Sequence, residues 1–168
     1  SVKEQLERMV AMVRQLSPAR AFHSRSSTPI NMRSPLLEEQ VRTKKPRLPS
    51  RLLVIASSTG GPTALLDVFA QLPERSDCCV VVAQHMPERF TAAFAERLAR
   101  TTPFVASEAA EGDVVAAGRV LVAPGGRHLE VRRGPDGVLR AAIVLPAAVP
   151  AARYCPSADV LFASVARA

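Results

Sequence analysis

The chain has no tryptophan and few aromatics of any kind, 4% of its 168 residues, so it offers little on which the bases of a single-stranded nucleic acid could stack. Long apolar runs are missing too. The longest, Cys78 to Ala83, falls far short of the roughly 18 residues that mark a membrane-spanning helix, and no membrane insertion is expected. Ser1–Val10 is charged and has no apolar h-region, so it does not read as a signal peptide. Cysteine is scarce and odd in number: three residues, two of them adjacent (Cys78, Cys79). That excludes a disulfide framework and a CxxC metal or redox site, and it fits a reducing cytoplasm. With 48% hydrophobic and 22% charged residues, the chain can still bury a core of about one domain's size.

The net charge of +7 invites a nucleic-acid reading until it is divided along the chain. Residues 1–50 hold ten Lys/Arg against four Asp/Glu, and residues 51–168 hold twelve against eleven. The positive field therefore belongs to the first fifty residues, whereas a nucleic-acid domain carries it on the fold itself. The expectation is a basic, solvated linker and no nucleic-acid partner.

Three segments follow. Residues 1–16 read as an amphipathic helix, with Val2, Leu6, Met9, Val10, Val13 and Leu16 at helical spacing. Residues 17–50 contain five prolines, many serines and the run Lys44-Lys45-Pro46-Arg47, and they read as an extended linker. Ordered sequence is expected from Arg51, so the domain is placed at 51–168.

Within it, Leu52 to Ala56 is a short apolar run, Thr63 to Leu72 has helical period, and Cys78 to Ala83 is a second apolar run. Phe90 to Arg100 is a second amphipathic segment, with Phe90, Phe94 and Leu98 on one face. This alternation predicts parallel βαβ units whose strands are apolar on both sides. Val120 to Ala123 is a third buried strand. The Asp136-Gly137 turn between two alternating runs predicts a β-hairpin. Ser157 is placed to cap a last helix, with Asp159 in its first turn. The fold class is α/β, a doubly wound, mainly parallel sheet with an antiparallel hairpin, expected to be incomplete at its C-terminal end because the chain stops on a helix.

The candidate chemistry lies in Ser57-Ser58-Thr59-Gly60-Gly61-Pro62, where the first strand turns into the first helix. Such a turn presents a hydroxyl at the carboxyl edge of the sheet, where α/β proteins bind ligands, beside amides at the positive helix end. It resembles a nucleophile elbow without the GxSxG spelling. Plainer roles compete: Ser58 or Thr59 as a helix cap, a phosphate loop (which lacks GxGxxG spacing and the P-loop lysine), or a simple turn. His85 ends the second strand one βαβ step later. If the two strands are neighbours they lie about 5 Å apart, and Ser58 and His85 share one crevice as nucleophile and base. His23 falls in the linker and His128 starts a hairpin strand, neither with such a neighbour. The carboxylates Glu108, Glu111, Asp113, Asp159, Asp67 and Asp77 read as loop, helix or surface groups, none at the end of a parallel strand. The cysteines read as small packing groups.

These motifs resemble the chemotaxis protein-glutamate methylesterases, the CheB family. Val54-Ile55-Ala56-Ser57-Ser58-Thr59-Gly60-Gly61-Pro62 is similar to the family's strand ending in Gly-Ala-Ser-Thr-Gly-Gly, and its serine falls on Ser58. Gln84-His85-Met86-Pro87 is similar to the second motif, whose histidine falls on His85. Ala123-Pro124-Gly125-Gly126 with His128-Leu129, and Pro156 to Phe162, follow in family order, so the resemblance runs from Arg51 to Ala168. It implies hydrolysis of γ-glutamyl methyl esters on methyl-accepting chemotaxis receptors, with release of methanol, and deamidation of receptor glutamines in the cytoplasm. It also implies Ser58 as nucleophile, His85 as base, and Thr59, Gly60 and Gly61 around the oxyanion, with no metal and no cofactor. Ala56-Ser57 replaces the usual Gly-Ala, and Tyr154-Cys155 stands where the family often has His-Arg. The family's catalytic aspartate lies beyond Ala168 and is not in this chain, and a receiver domain usually precedes the linker. The chain is therefore expected to be a poor esterase by itself. The alternative is an inactive fragment or a non-enzymatic module that binds receptors or another partner.

Overall fold

A computed structural model describes residues 46–72 and 77–168, together with Ala11. The helix expected over residues 1–16 and most of the linker expected over 17–50 lie outside the described residues.

Seven consecutive residues of β2 (Cys78–Gln84) are buried, and their alternation builds both halves of the core. Cys78, Val80 and Val82 face one side, where they meet Leu65 and Phe69 of α1 (Gly61–Ala70) and Phe94 and Leu98 of α2 (Glu88–Thr101). Cys79, Val81 and Ala83 face the other, against Leu129 and Val131 of β5 (His128–Arg133) and Leu161 of α3 (Ala158–Arg167). A strand with period two and no polar face has to be covered twice, and the chain supplies two different covers. Each fully buried Leu or Phe contributes roughly 1.5–3 kcal/mol over its exposed state.

β2 lies between β1 (Arg51–Ser57) and β4 (Arg119–Val122), and β3 (Val105–Glu108) closes the far side, giving a four-stranded sheet in the order β1-β2-β4-β3. Every pairing in it is parallel. β5 and β6 (Leu139–Val144) form the antiparallel hairpin, a separate two-stranded sheet laid over the second face rather than an extension of the first. The α/β class, the parallel sheet and the hairpin thus agree with the sequence reading. Among the described residues, no helix is long and apolar enough to cross a membrane.

Three local expectations are corrected. β3 was not foreseen: its four residues sit at an edge and only half bury, so they leave no alternating apolar signal. Glu108, expected in a loop, is the last residue of that parallel strand. Helix α2 begins at Glu88, and Phe90 is 46% exposed instead of lining the core, with the Arg89 guanidinium 4.8 Å over its ring. The chain is also tied to the domain before Arg51, since the Arg47 carbonyl accepts the Ala117 amide at 2.9 Å and the Ser50 amide donates to Asp77 at 2.9 Å.

Candidate active site

In the parallel register Ser57 stands beside Gln84, so Ser58 and His85 each lie one residue past paired strand ends on the same edge of the sheet. The His85 amide extends the ladder by donating to the Ser57 carbonyl at 2.8 Å. Both residues line one cavity of about 420 Å³, together with Ser57, Tyr154, Pro156 and Ala158. The shared crevice expected from strand spacing is present. Ser58 and His85 make no direct hydrogen bond to each other among the described residues.

The turn after Ser58 is shaped by its glycines. Gly60 has φ +78° and is the residue from which α1 starts, with no side-chain cap, and Pro62 occupies the first turn. Neither Ser58 nor Thr59 is therefore a helix cap, which removes the commonest plain role for a hydroxyl at this point. The Gly61 amide donates to the Ser58 carbonyl at 2.8 Å and is engaged in the turn. The amides of Thr59 and Gly60 have no acceptor among the described residues, and both residues are exposed.

A residue not singled out from the sequence lies beneath this turn. Gln84 is 1% exposed. Its Nε2 donates to the carbonyls of Ser58 and His85, each at 3.0 Å, and its Oε1 accepts the Ser57 hydroxyl at 2.6 Å. A Cβ on Gly61 would overlap Gln84 Oε1 and lie 2.8 Å from Ser57 Oγ. The signal in the sequence was a lone amide closing an otherwise apolar, doubly covered strand.

The His85 ring meets the Tyr154 ring edge to face, with centroids 5.2 Å apart and 69° between planes. Among the described residues no carboxylate pairs with His85. Glu108 ends β3, which is separated from β2 by β4, and it accepts the Thr91 hydroxyl. Asp113 pairs with Arg119 at 3.5 Å, Asp159 sits in the first turn of α3, and Asp77 accepts the Ser50 hydroxyl, which holds its carboxyl below the usual range.

His128 starts β5 as expected, and its partner is a backbone amide rather than a nucleophile. It is 1% exposed, and its Nδ1 accepts the Ser157 amide at 3.1 Å. Burial pulls its pKa down, with Glu130 opposing. Ser157 caps α3 as expected, accepting the Val160 amide at 3.4 Å. The pair fixes the start of α3, where Pro156 and Ala158 form one wall of the crevice. Burial pushes the Cys79 thiol up to about 12 and also raises Cys155, which fits packing groups rather than nucleophiles.

Comparison with known proteins places this geometry in context. A family described as CheB methylesterase matches residues 53–168. A protein-glutamate methylesterase/protein-glutamine glutaminase of Anaeromyxobacter dehalogenans is 61% identical over 120 residues, which is 71% of this chain and 34% of that protein. One from Xanthomonas oryzae pv. oryzae is 42% identical over 176 residues, 98% of this chain and 48% of its own length. The crystal structure of the Thermotoga maritima CheB methylesterase catalytic domain superimposes with a TM-score of 0.64 at 32% identity, covering 70% of this chain and 60% of that one. The chain spans about a third to a half of the length of these curated relatives.

Proposed function

The chain belongs to the CheB methylesterase family, and from that premise we propose that it carries the nucleophile and base of a protein-glutamate methylesterase. Its substrates are γ-glutamyl methyl esters, and receptor glutamines for deamidation, on methyl-accepting chemoreceptors, met in the cytoplasm. The observation that carries the reading is the joint placement of Ser58 and His85 in one crevice at adjacent strand ends.

Ser58 Oγ attacks the ester carbonyl carbon while His85 takes its proton. The charge that gathers on the carbonyl oxygen is met by the free amides of Thr59 and Gly60. Collapse breaks the C–O bond to the methoxy group, which leaves as methanol with the proton from His85. Water, deprotonated by His85, then cleaves the acyl-serine and restores Ser58 and a free glutamate. No metal or cofactor takes part.

The acid that would orient His85 is not supplied by any described carboxylate, so the 168-residue chain should turn over slowly. In a comparable triad, disabling the acid lowers turnover by about 10⁴. The test is methanol release from a methylated receptor by this chain and by the full-length Anaeromyxobacter relative. A rate lower by about that factor, abolished by Ser58→Ala, supports the reading. Equal rates would place the acid within the 168 residues, with Asp113 and Asp159 the first to substitute. Binding of the receptor with release unaffected by Ser58→Ala would favour a binding module that does no chemistry at Ser58.

A further inference from the structure

Gln84 is the single polar residue of β2 and one of the least exposed residues of the domain. We propose that it is a positioning residue that sets the placement of Ser58 relative to His85, a role that rests on the assignment of those two residues given above. Burying an amide costs free energy that an apolar side chain would not cost, so filling space does not account for it. What the amide does with its hydrogen bonds is specific. Its two N–H groups reach two carbonyls on two different strand ends, those of Ser58 and His85, at 3.0 Å each. Its oxygen holds the Ser57 hydroxyl at 2.6 Å. One planar group therefore ties the residue before the nucleophile, the nucleophile's own carbonyl and the base's own carbonyl into a rigid unit.

Few side chains can do this. An ionised glutamate has no donor and would face two carbonyl oxygens, and methionine has the length but no hydrogen bonds. The turn also leaves room for the amide, because only at a residue without Cβ can Gly61 pass so close to Gln84 Oε1. Nucleophile and base must hold their mutual geometry to within a fraction of an ångström, and a shift of about 1 Å can cost a hundredfold in rate.

The experiment uses Gln84→Met and Gln84→Glu in the 168-residue chain, with two measurements. The first is the backbone amide resonances of Ser58 to Gly60 and of His85 and Met86. In Gln84→Met both sets should shift and broaden together, while those of β4 and α3 stay in place. The second is the rate of labelling by a fluorophosphonate, which forms an Oγ–P bond at Ser58 as the P–F bond breaks, fluoride leaves and the serine proton passes to His85. Counted per folded molecule, so that lost stability does not enter, Gln84→Met should react roughly a hundredfold more slowly. Gln84→Glu should be as slow at alkaline pH and recover part of the rate, relative to wild type, in acid, where the protonated carboxyl regains one donor.

Resonances at the two turns unchanged in Gln84→Met would overturn the proposal, and so would a wild-type labelling rate. If Gln84→Met does not fold, the pH dependence of Gln84→Glu decides, and a pH-independent ratio to wild type overturns it. If wild-type Ser58 is itself never labelled, the resonances alone decide for Gln84, and the methanol-release test above decides separately for Ser58.

Discussion

Gly60 has φ +78° with open space where a Cβ would stand, whereas Gly61 has no such backbone demand and no space at all. The two substitutions therefore probe different physics. Gly60→Ala should cost about 1–2 kcal/mol through its left-handed backbone, and Gly61→Ala about 1–3 kcal/mol through overlap with Gln84 and Ser57. Urea unfolding measures both, and a loss below about 1 kcal/mol for Gly61→Ala would count against the packing described here. His128 gives a pH dependence with a definite sign. The neutral ring is the form that accepts the Ser157 amide, and burial lowers its pKa in the fold. The group acting on it electrostatically is Glu130 on the same strand, which works in the opposite sense. As pH falls, the unfolded chain takes up the proton first, so this contribution is fully present above about pH 6.5 and is lost below it. Unfolding midpoints should fall between about pH 7.5 and about pH 5, and the fall should be smaller in His128→Asn, which keeps an acceptor but does not titrate. An equal fall in both proteins would show that His128 does not set the dependence.

At the scale of elements, a buried hydroxyl of α3 bridges to the hairpin beside the apolar contacts of Leu161. Ser164 is buried, donates to the Leu161 carbonyl at 2.7 Å and accepts the Val131 amide at 2.9 Å. Ser164→Ala would leave that β5 amide unpaired away from water, so it should destabilise the domain by about 1–3 kcal/mol. Denaturant unfolding tests the size, and faster hydrogen exchange at Val131 tests the cause. Because α3 begins at the crevice wall, the same variant should loosen Pro156 and Ala158. The helix and its Ser157 cap were readable from a Pro-Ser-x-Asp start before an apolar face, and the hairpin from its Asp-Gly turn. β3 was not, since a four-residue edge strand buries too little to show a period.

The whole molecule separates charge from fold. Residues 1–50 hold ten basic and four acidic residues, while residues 51–168 are almost balanced at twelve and eleven. Retention on DNA or heparin at low salt should therefore disappear when residues 1–45 are removed, leaving Arg47 and Ser50 to make their contacts with the domain. Salt-sensitive binding by residues 46–168 alone would show that the fold carries a positive field of its own. The order β1-β2-β4-β3 also sets which groups can meet. It brings the ends of β1 and β2 together and keeps Glu108, on β3, two strands from His85.

Local sequence determined the strand and helix alternation, because period and turn chemistry are written in neighbouring residues. It also determined that Ser58 and His85 would follow the carboxyl ends of parallel strands and so share one edge of the sheet, whereas the order β1-β2-β4-β3 decided that those two strands are neighbours. The tertiary structure alone decided what surrounds them. The Gln84 amide under both turns, Tyr154 against the His85 ring, and His128 holding the Ser157 amide 29 residues away are contacts between distant segments. Such contacts leave no periodic trace in the chain, since they depend on which surfaces the packed layers bring within a few ångströms of each other.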